Sequence, residues 1–442
     1  MIQLSDHFNY KRLIRYTVPS ILMMIFTSIY GVVDGYFVSN YTGKTPFAAV
    51  NFIMPVLIIL GCVGFMFGTG SSALISKTMG EGDGEKANRI FTFVVVTSVI
   101  IGTAIGVLGI IFLRPIGILL GGEGQLLDDS VTYGTIILIA QPFWLLQYEF
   151  QCLFPTAGKP RLGLYVTVAA GVTNMVLDAL FVAVFGWGLV GAAVATALSQ
   201  FVGGIVPVIY FFNKNNSSSL RFTKFGFDAK VLLKTCTNGS SELMSSISMS
   251  IVSMLYNYQL MKYAGENGIA AYGVLMYVSM IFQALFIGYS VGSAPIIGYH
   301  FGAENKKELS SLLRKSLILI GTCSLFMFAA GELLSMPLSR LFISYDEALL
   351  EMTHHAFTIF SFSFLFSGIA IYGSSFFTAL NDGLTSALIS FFRTIVFQVC
   401  AVLIFPLIWQ LDGVWISISA AEVAAVAVTG LFLAVKRKKY GY

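Results

Sequence analysis

Residues 40–58 read NYTGKTPFAAVNFIMPVLI, and residues 262–280 read KYAGENGIAAYGVLMYVSM. The second stretch lies 222 positions after the first (262 − 40), and at that offset Tyr41 meets Tyr263, Gly43 meets Gly265, and Ala48-Ala49 meets Ala270-Ala271. The same offset, without gaps, brings Gly70-Ser71 onto Gly292-Ser293, Gly80 onto Gly302, Pro115 onto Pro337 and Thr156-Ala157 onto Thr378-Ala379. GWGLVG (186–191) then falls on IWQLDG (408–413). Shared apolar composition would make any two helices look alike, but it does not align loop glycines. The chain is therefore read as one unit written twice.

What the unit is follows from composition. Of the 442 residues 56% are hydrophobic and 11% charged, with a mean hydropathy of +0.81. Soluble domains carry about 25% charged residues, so the chain reads as an integral membrane protein. A spanning helix needs roughly 20 apolar residues. Twelve such stretches can be placed, near residues 14–39, 47–79, 90–113, 130–154, 162–185, 189–212, 231–262, 270–300, 311–334, 353–378, 384–408 and 413–435. They lack the period-two alternation of barrel strands, so the expected fold is all-α. Each repeat then holds six spans, an even number, and the two are parallel repeats about an axis along the membrane normal. The expected organisation is a first lobe at 1–212, a polar Asn/Ser-rich linker at 213–230 and a second lobe at 231–442. The first hydrophobic run is too long for a cleavable signal peptide.

Charge orients the bundle. With both termini inside, the inner loops and tails carry 21 of the 26 Lys and Arg, leaving Lys44, Arg114, Lys262 and Arg340 outside and Arg393 within a span. That asymmetry satisfies the positive-inside rule with both termini cytoplasmic. It also accounts for the net charge of +4, so no nucleic-acid partner is implied. Five cysteines stand singly in apolar segments with no CxxC or Cys/His spacing, which argues against disulfides, a structural metal and any bound cofactor. HExxH does not occur, His354 and His355 sit near a loop, and an enzyme is not expected.

The two copies differ where polarity is costly. Asp34 faces Tyr256, Asn174 faces Val396, Asp178 faces Cys400 and Thr196 faces Ile418. Asn174 and Asp178 are four residues apart and share a helix face, as do Tyr30 and Asp34. An Asp at the bilayer centre costs about 2.5–3.5 kcal/mol, so the pair is expected to face an interior or a cavity. Burial and a neighbouring carboxylate disfavour the charged form and suit proton exchange, while carboxylate, amide and hydroxyl oxygens together suit a hard cation such as Na⁺. Both chemistries stay open here. The other charges within spans are Glu149, Glu242, Arg393 and Glu422. Arg393 is expected to pair with an acid or with helix carbonyls, with Glu422 the candidate partner, and Glu242 is read as interfacial or functional. The glycines Gly61, Gly64, Gly68 and Gly70 are read as close helix packing.

VVDGYFVSNYTGKTPFAAVN with Pro55 downstream, TNMVLDALFV, and GWGLVGAAVATALSQ together resemble the multidrug and toxic compound extrusion (MATE) family, in its bacterial efflux branch, over nearly the whole chain. The resemblance implies export of amphipathic cationic small molecules in exchange for H⁺ or Na⁺, by a monomer in the lipid bilayer that alternates access between its two lobes. It implies that Asp34, Asn174, Asp178 and Thr196 form the cation-coupling site of the first lobe and that Pro19 is the point about which the first helix bends. Tyr30, Tyr133 and Gln151 are the candidate residues of the substrate cavity. The tenth span, FTIFSFSFLFSGIAIYGSSFF, carries no acid, so the second-lobe coupling site of some relatives is not expected. The alternative within the same superfamily is a flippase for lipid-linked saccharides. An anionic pyrophosphate cargo would favour several cavity cations, and the spans offer Arg393 alone.

Overall fold

The structure, a computed structural model, describes every residue except Met1, Lys214, Ser344 and Tyr345, so one linker position lies outside it. Helices α1 (Tyr10–Tyr41), α2 (Lys44–Gly80), α3 (Gly84–Leu119), α4 (Gly124–Ile139), α5 (Gln141–Thr156), α6 (Pro160–Asp178) and α7 (Gly188–Phe212) make the first half. The second half holds α8 (Ala229–Gly302), α9 (Lys306–Phe342), α10 (Glu347–Ser361), α11 (Phe364–Ala379), α12 (Gly383–Phe391) and α13 (Gln398–Tyr440). Wider π turns prolong α6 (Ala179–Val184) and join α12 to α13 (Phe392–Phe397).

These helices make twelve passes, six in each half, among the described residues. Helices α4 and α5 run end to end across Ala140, and α10 and α11 meet at a 48° bend, so each pair is one pass. Helices α8 and α13 each supply two passes. In α8 the backbone leaves helical geometry at Gly265 (φ 61°), and the rings of Tyr256 and Tyr272 stack at 5.4 Å. Sixteen residues would separate them by about 24 Å on a straight helix, so the chain folds back. In α13 the same happens at Gln410 (φ 51°), where Gly413 packs against the Phe405 carbonyl.

The repeat is visible in backbone dihedrals. Left-handed positions recur at the 222 offset as Gly43 (φ 95°) with Gly265 (61°), Gly82 (87°) with Glu304 (54°), and Gly188 (57°) with Gln410 (51°). Asp83 caps α3 through the Lys86 N–H, and its counterpart Asn305 caps α9 through the Glu308 N–H. The twelve expected spans agree with the observed passes in order and approximate limits, but spans four and ten prove to be broken. Pro142 at the second position of α5 has no N–H to continue the ladder of α4. The break at Phe362-Ser363 has neither proline nor glycine to account for it.

The halves meet along a seam of glycines. A methyl added at Gly70 would run into the Thr235 carbonyl, at Gly239 into that of Met66, at Gly80 into that of Tyr299 and at Gly302 into that of Lys77. Helix α1 enters the same seam, with Gly288 and Gly292 of α8 receiving Ile21, Ser20 and Thr17. Gly61, Gly64 and Gly68 sit as closely against Trp144, Leu145 and Glu149 of α5, as their spacing implied. At the end of the bundle that carries both termini, Asn381 ties three helices. Its amide donates to the Ala73 carbonyl (3.0 Å), its side-chain oxygen accepts from Asn238 (2.7 Å), and its carbonyl accepts from Lys234 (2.7 Å). Leu4 and Phe8 of the first half are buried at that end in one cluster with Ile296, Leu309, Leu380 and Tyr442 of the second. From there the close contacts reach as far as Cys62, which accepts from Ser246 at 2.9 Å. Farther out, Ile58 on α2 and Ile251, Met254 and Tyr258 on α8 are exposed.

The seam predicts a position-specific cost. Gly239→Val overpacks a backbone contact, worth about 1–3 kcal/mol, and lowers the melting temperature of the detergent-purified protein by several degrees. Gly273→Val, on the same helix but with open space around its Cα, leaves it unchanged. Equal melting curves for the two variants would refute the seam as the closing contact.

Candidate functional site

Helices α1 and α6 approach closely because Gly171 presents no side chain: an added methyl would strike Phe26 and come within 2.9 Å of Tyr30. Phe26, Tyr30 and Asp34 mark successive turns of α1, and Gly171, Asn174 and Asp178 mark successive turns of α6. The close packing at Gly171 therefore carries Asp34 to Asn174 and Asp178. Asp178 is the last residue of α6 before the π turn, where Phe185 N–H donates to the Leu180 carbonyl at 2.8 Å. Such turns widen a helix and are frequent at functional sites. Helix α7 supplies Thr196, and α4 supplies Tyr133 beside Asp34, Asp178 and Thr196.

The contacts among these groups are long. Asn174 Nδ2 donates to Thr196 Oγ1 at 3.4 Å, and Thr196 Oγ1 donates to Asp34 Oδ1 at 3.5 Å. Asp178 is fully buried beside Asp34, and Tyr133 lies beside Thr196; both neighbours stand within reach, but neither the Asp178 oxygens nor the Tyr133 hydroxyl makes a hydrogen bond of good geometry among the described residues. Two carboxylates, one amide oxygen and two hydroxyls thus converge with only long hydrogen bonds between them. An unpaired buried carboxylate costs several kcal/mol if ionised, so the arrangement is costly with both acids charged. No group of three or more His, Cys, Asp or Glu suited to a metal occurs among the described residues.

The expected site residues fall into two places. Asp34, Asn174, Asp178, Thr196, Tyr30 and Tyr133 come together inside the first half. Gln151 lies inside the first half as well, with Gln147 and Thr167 around a small interior cavity. Tyr133 and Gln151 are thus enclosed by first-half helices and do not lie on a wall between the halves. Gln147 went unnoticed in the sequence, yet it lies beside Tyr30 and against Gly203, linking the acid cluster to that cavity. A lone glutamine in an apolar run carries no signal of such a role. Pro19 is buried in α1 next to Thr17 and Ser20, which touch the seam glycine Gly292. The helix is continuous through it.

In the second half the equivalent positions are apolar. Tyr256 and Ile418, the counterparts of Asp34 and Thr196, belong to one hydrophobic cluster with Val402 and Trp415. The second half keeps its own charges elsewhere. Arg393 grips Glu422 with a two-pronged ion pair, Nη2–Oε1 at 2.8 Å and Nε–Oε2 at 2.9 Å, as the sequence allowed. Glu242 stands near them in a cavity between the halves. Glu149 of α5 is fully buried beside Ser98, and its carboxylate makes no hydrogen bond of good geometry among the described residues.

The sequence signature of the MatE family matches residues 19–180 and again residues 243–404, once in each half. The chain belongs to the MatE family. Among characterised relatives it is similar to the multidrug export protein MepA of Staphylococcus saprophyticus subsp. saprophyticus, 23% identical over 428 residues that cover 95% of this chain and 92% of that one. MepA of Staphylococcus aureus (strain MRSA252) is also 23% identical, over 423 residues, with the same coverage of both chains. Among solved structures, a crystal structure of MATE in complex with MaL6 superposes with a TM-score of 0.93 and covers 98% of each chain at 23% identity, which shows a common fold.

The two kinds of buried charge in this MatE protein predict opposite responses to neutralisation. Asp178→Asn removes a carboxylate that no neighbour compensates, so the melting temperature stays level or rises. Glu422→Gln strands the Arg393 guanidinium and costs about 3–5 kcal/mol. Thermal melts of the two purified variants check this, and a large loss in Asp178→Asn would show that its charge is structurally satisfied.

Proposed function

We propose that this MatE protein is a multidrug efflux transporter whose export of amphipathic organic cations is driven by inward flow of H⁺ or Na⁺. The observation that carries the coupling is the unsatisfied pair Asp34 and Asp178 with Asn174 and Thr196, present in one half and replaced by apolar residues in the other. A carrier needs a group that gains and loses its ion, and a buried pair of like charges is such a group. With both carboxylates ionised their repulsion favours separation of α1 from α6; a proton or Na⁺ shared between them removes that repulsion and favours closure. An ion shifts a two-state equilibrium by its differential affinity alone, and a swing from 1:99 to 99:1 needs about 5.5 kcal/mol. Two buried carboxylates can supply energy of that order.

The working unit on this reading is a monomer in a bacterial inner membrane, its termini in the cytoplasm. The lobes 1–212 and 231–442 rock about the seam, with 213–230 as their cytoplasmic link. Pro19 acts as the hinge of α1, because a proline inside a helix removes one backbone hydrogen bond at that turn. The flippase alternative is disfavoured by the occupied guanidinium of Arg393, whose three contacts to Glu422 leave little for a pyrophosphate.

Proteoliposomes test the coupling. Under an imposed ΔpH or Na⁺ gradient the wild-type protein moves a cationic dye, while Asp34→Asn and Asp178→Asn, still folded, move none. Transport that persists in both variants would remove the coupling role from these residues. Pro19→Ala is expected to slow turnover severalfold while ion binding survives, since the ligands remain and the hinge stiffens. Unchanged turnover would favour rigid rocking of the two lobes over bending of α1.

A further inference from the structure

Two segments run along the face of the bundle that carries the termini, and each leads into the first helix of a half. The linker before α8 stays on the half it has just left. Leu220 is buried in one cluster with Phe91 and Phe211, the Arg221 N–H donates to Asn88 Oδ1 at 2.8 Å, and the Thr223 N–H donates to Thr92 Oγ1 at 2.9 Å. Residues 2–9, which lead into α1, lie instead on α9 of the opposite half, the counterpart of α3 at the 222 offset. We propose that this segment is a strap that fastens the termini-bearing face shut and lets go of α9 each time the halves part on that side. The proposal rests on the alternating access of the export reading above but concerns residues outside the coupling site.

Side chains of α9 take hold of Phe8 by both its backbone groups. Glu308 accepts the Phe8 N–H through Oε1 at 2.9 Å, and its Oε2 lies 2.7 Å from His7 Nδ1. Lys315, farther along α9, donates to the Phe8 carbonyl at 2.5 Å. Hydrogen bonds to charged groups are the strong ones, and three meet here on two successive residues. The Phe8 ring is fully buried, edge-on to Tyr16 of α1 at 6.0 Å and to His300 of α8 at 6.4 Å. Leu4 is buried in the same cluster with Leu309 and Tyr442. The first half has no such grip. At the 222 offset Glu308 falls on Lys86 and Lys315 on Phe93, and Phe93 stacks on Phe225 of the linker at 5.9 Å. Rings pack the linker where charges hold the strap.

The segment ties the halves together because of where α1 belongs. Gly171 packs the outer part of α1 onto α6, so α1 travels with the first half, while its inner part lies on Gly288 and Gly292 of α8. The linker joins the halves through the chain itself and needs no contact across the seam to persist. The strap is joined to the first half by the chain and to the second by hydrogen bonds and apolar packing alone. Those contacts have to break when α2 and α8 separate. Arg12, in the first turn of α1, donates to the His7 carbonyl at 3.2 Å and leaves little slack between helix and strap. Release uncovers Phe8 and Leu4 to water, which is unfavourable. The strap therefore weights the equilibrium toward closure of this face, and its strength sets how often the face opens.

Distances between spin labels test the strap in nanodiscs. Labels at Glu85→Cys in the first half and Lys438→Cys in the second, both exposed, are read by double electron–electron resonance after the native cysteines have been replaced. Phe8→Ala and Glu308→Gln are each expected to raise the ratio of the longer, open separation to the closed one by about tenfold, the weight of one hydrogen bond to a charged group or one buried ring. In the opposite direction, His7→Cys and Glu308→Cys joined by a short bifunctional thiosulfonate are expected to stop export of a cationic dye in proteoliposomes, and reduction to restore it. Distance distributions that match the wild type in both Phe8→Ala and Glu308→Gln overturn the strap, and so does dye export that continues in the joined protein. A lowered melting temperature with unchanged distances overturns it in favour of a purely structural anchor. If the wild type exports no dye while the distances shift as expected, the export reading fails and the strap stands.

Discussion

Backbone lies almost directly on backbone where α2 crosses α8, and the rest of the molecule is arranged around that crossing. Gly70, Gly80, Gly239 and Gly302 each face a carbonyl of the other helix at a separation that no side chain permits. In a bilayer there is no hydrophobic drive to press apolar helices together, so close packing of small residues must supply the cohesion. The seam supplies it at one end only, where Asn381 and the buried N-terminal residues add polar and apolar ties. Everything proposed to move, from the hinge in α1 to the strap that precedes it, borders this contact.

Much of the fold was legible before the structure, and the reason is the duplication. Turns that need a left-handed backbone select glycine, so Gly43 and Gly265 announce the same turn twice, and apolar length does the rest. The break in span four was marked by Pro142 but went unread, and the break in span ten was not legible, because Phe362-Ser363 has no residue that forbids a helix. The acid cluster was half legible. The pairing of Asn174 with Asp178 follows from helical spacing, and their absence from the second copy sets them apart, but meeting Asp34 depends on the gap at Gly171. Glu242 was undecided in sequence because its surroundings come from four different helices, and no local pattern records which of them converge.

The two copies have divided polar labour by displacement. Positions that hold Asp34 and Thr196 in the first half hold Tyr256 and Ile418 in the second, packed with Trp415. Conversely Glu242, Arg393 and Glu422 fall on Ser20, Gly171 and Gln200. Gly171 is the residue that lets α1 reach α6, so an arginine there would prise the acid cluster apart. One half keeps its charges inside its own bundle, and the other offers one of them to the space between the bundles.

The π turn that follows Asp178 has a geometric corollary. A π turn holds roughly one residue more than an α turn, a surplus that can be handed along a helix one position at a time. Each such step rotates the side chains it passes by about 100° around the axis while leaving both ends of the span nearly where they were. Arg393 lies within a wide turn of the second half, in the equivalent span but nine residues before the position that the 222 offset gives (179 + 222 = 401 against 392). Each half thus carries a charged side chain on a stretch of helix that can be re-aimed by passing a single residue through it, a form of motion that needs neither a bend nor a sliding interface.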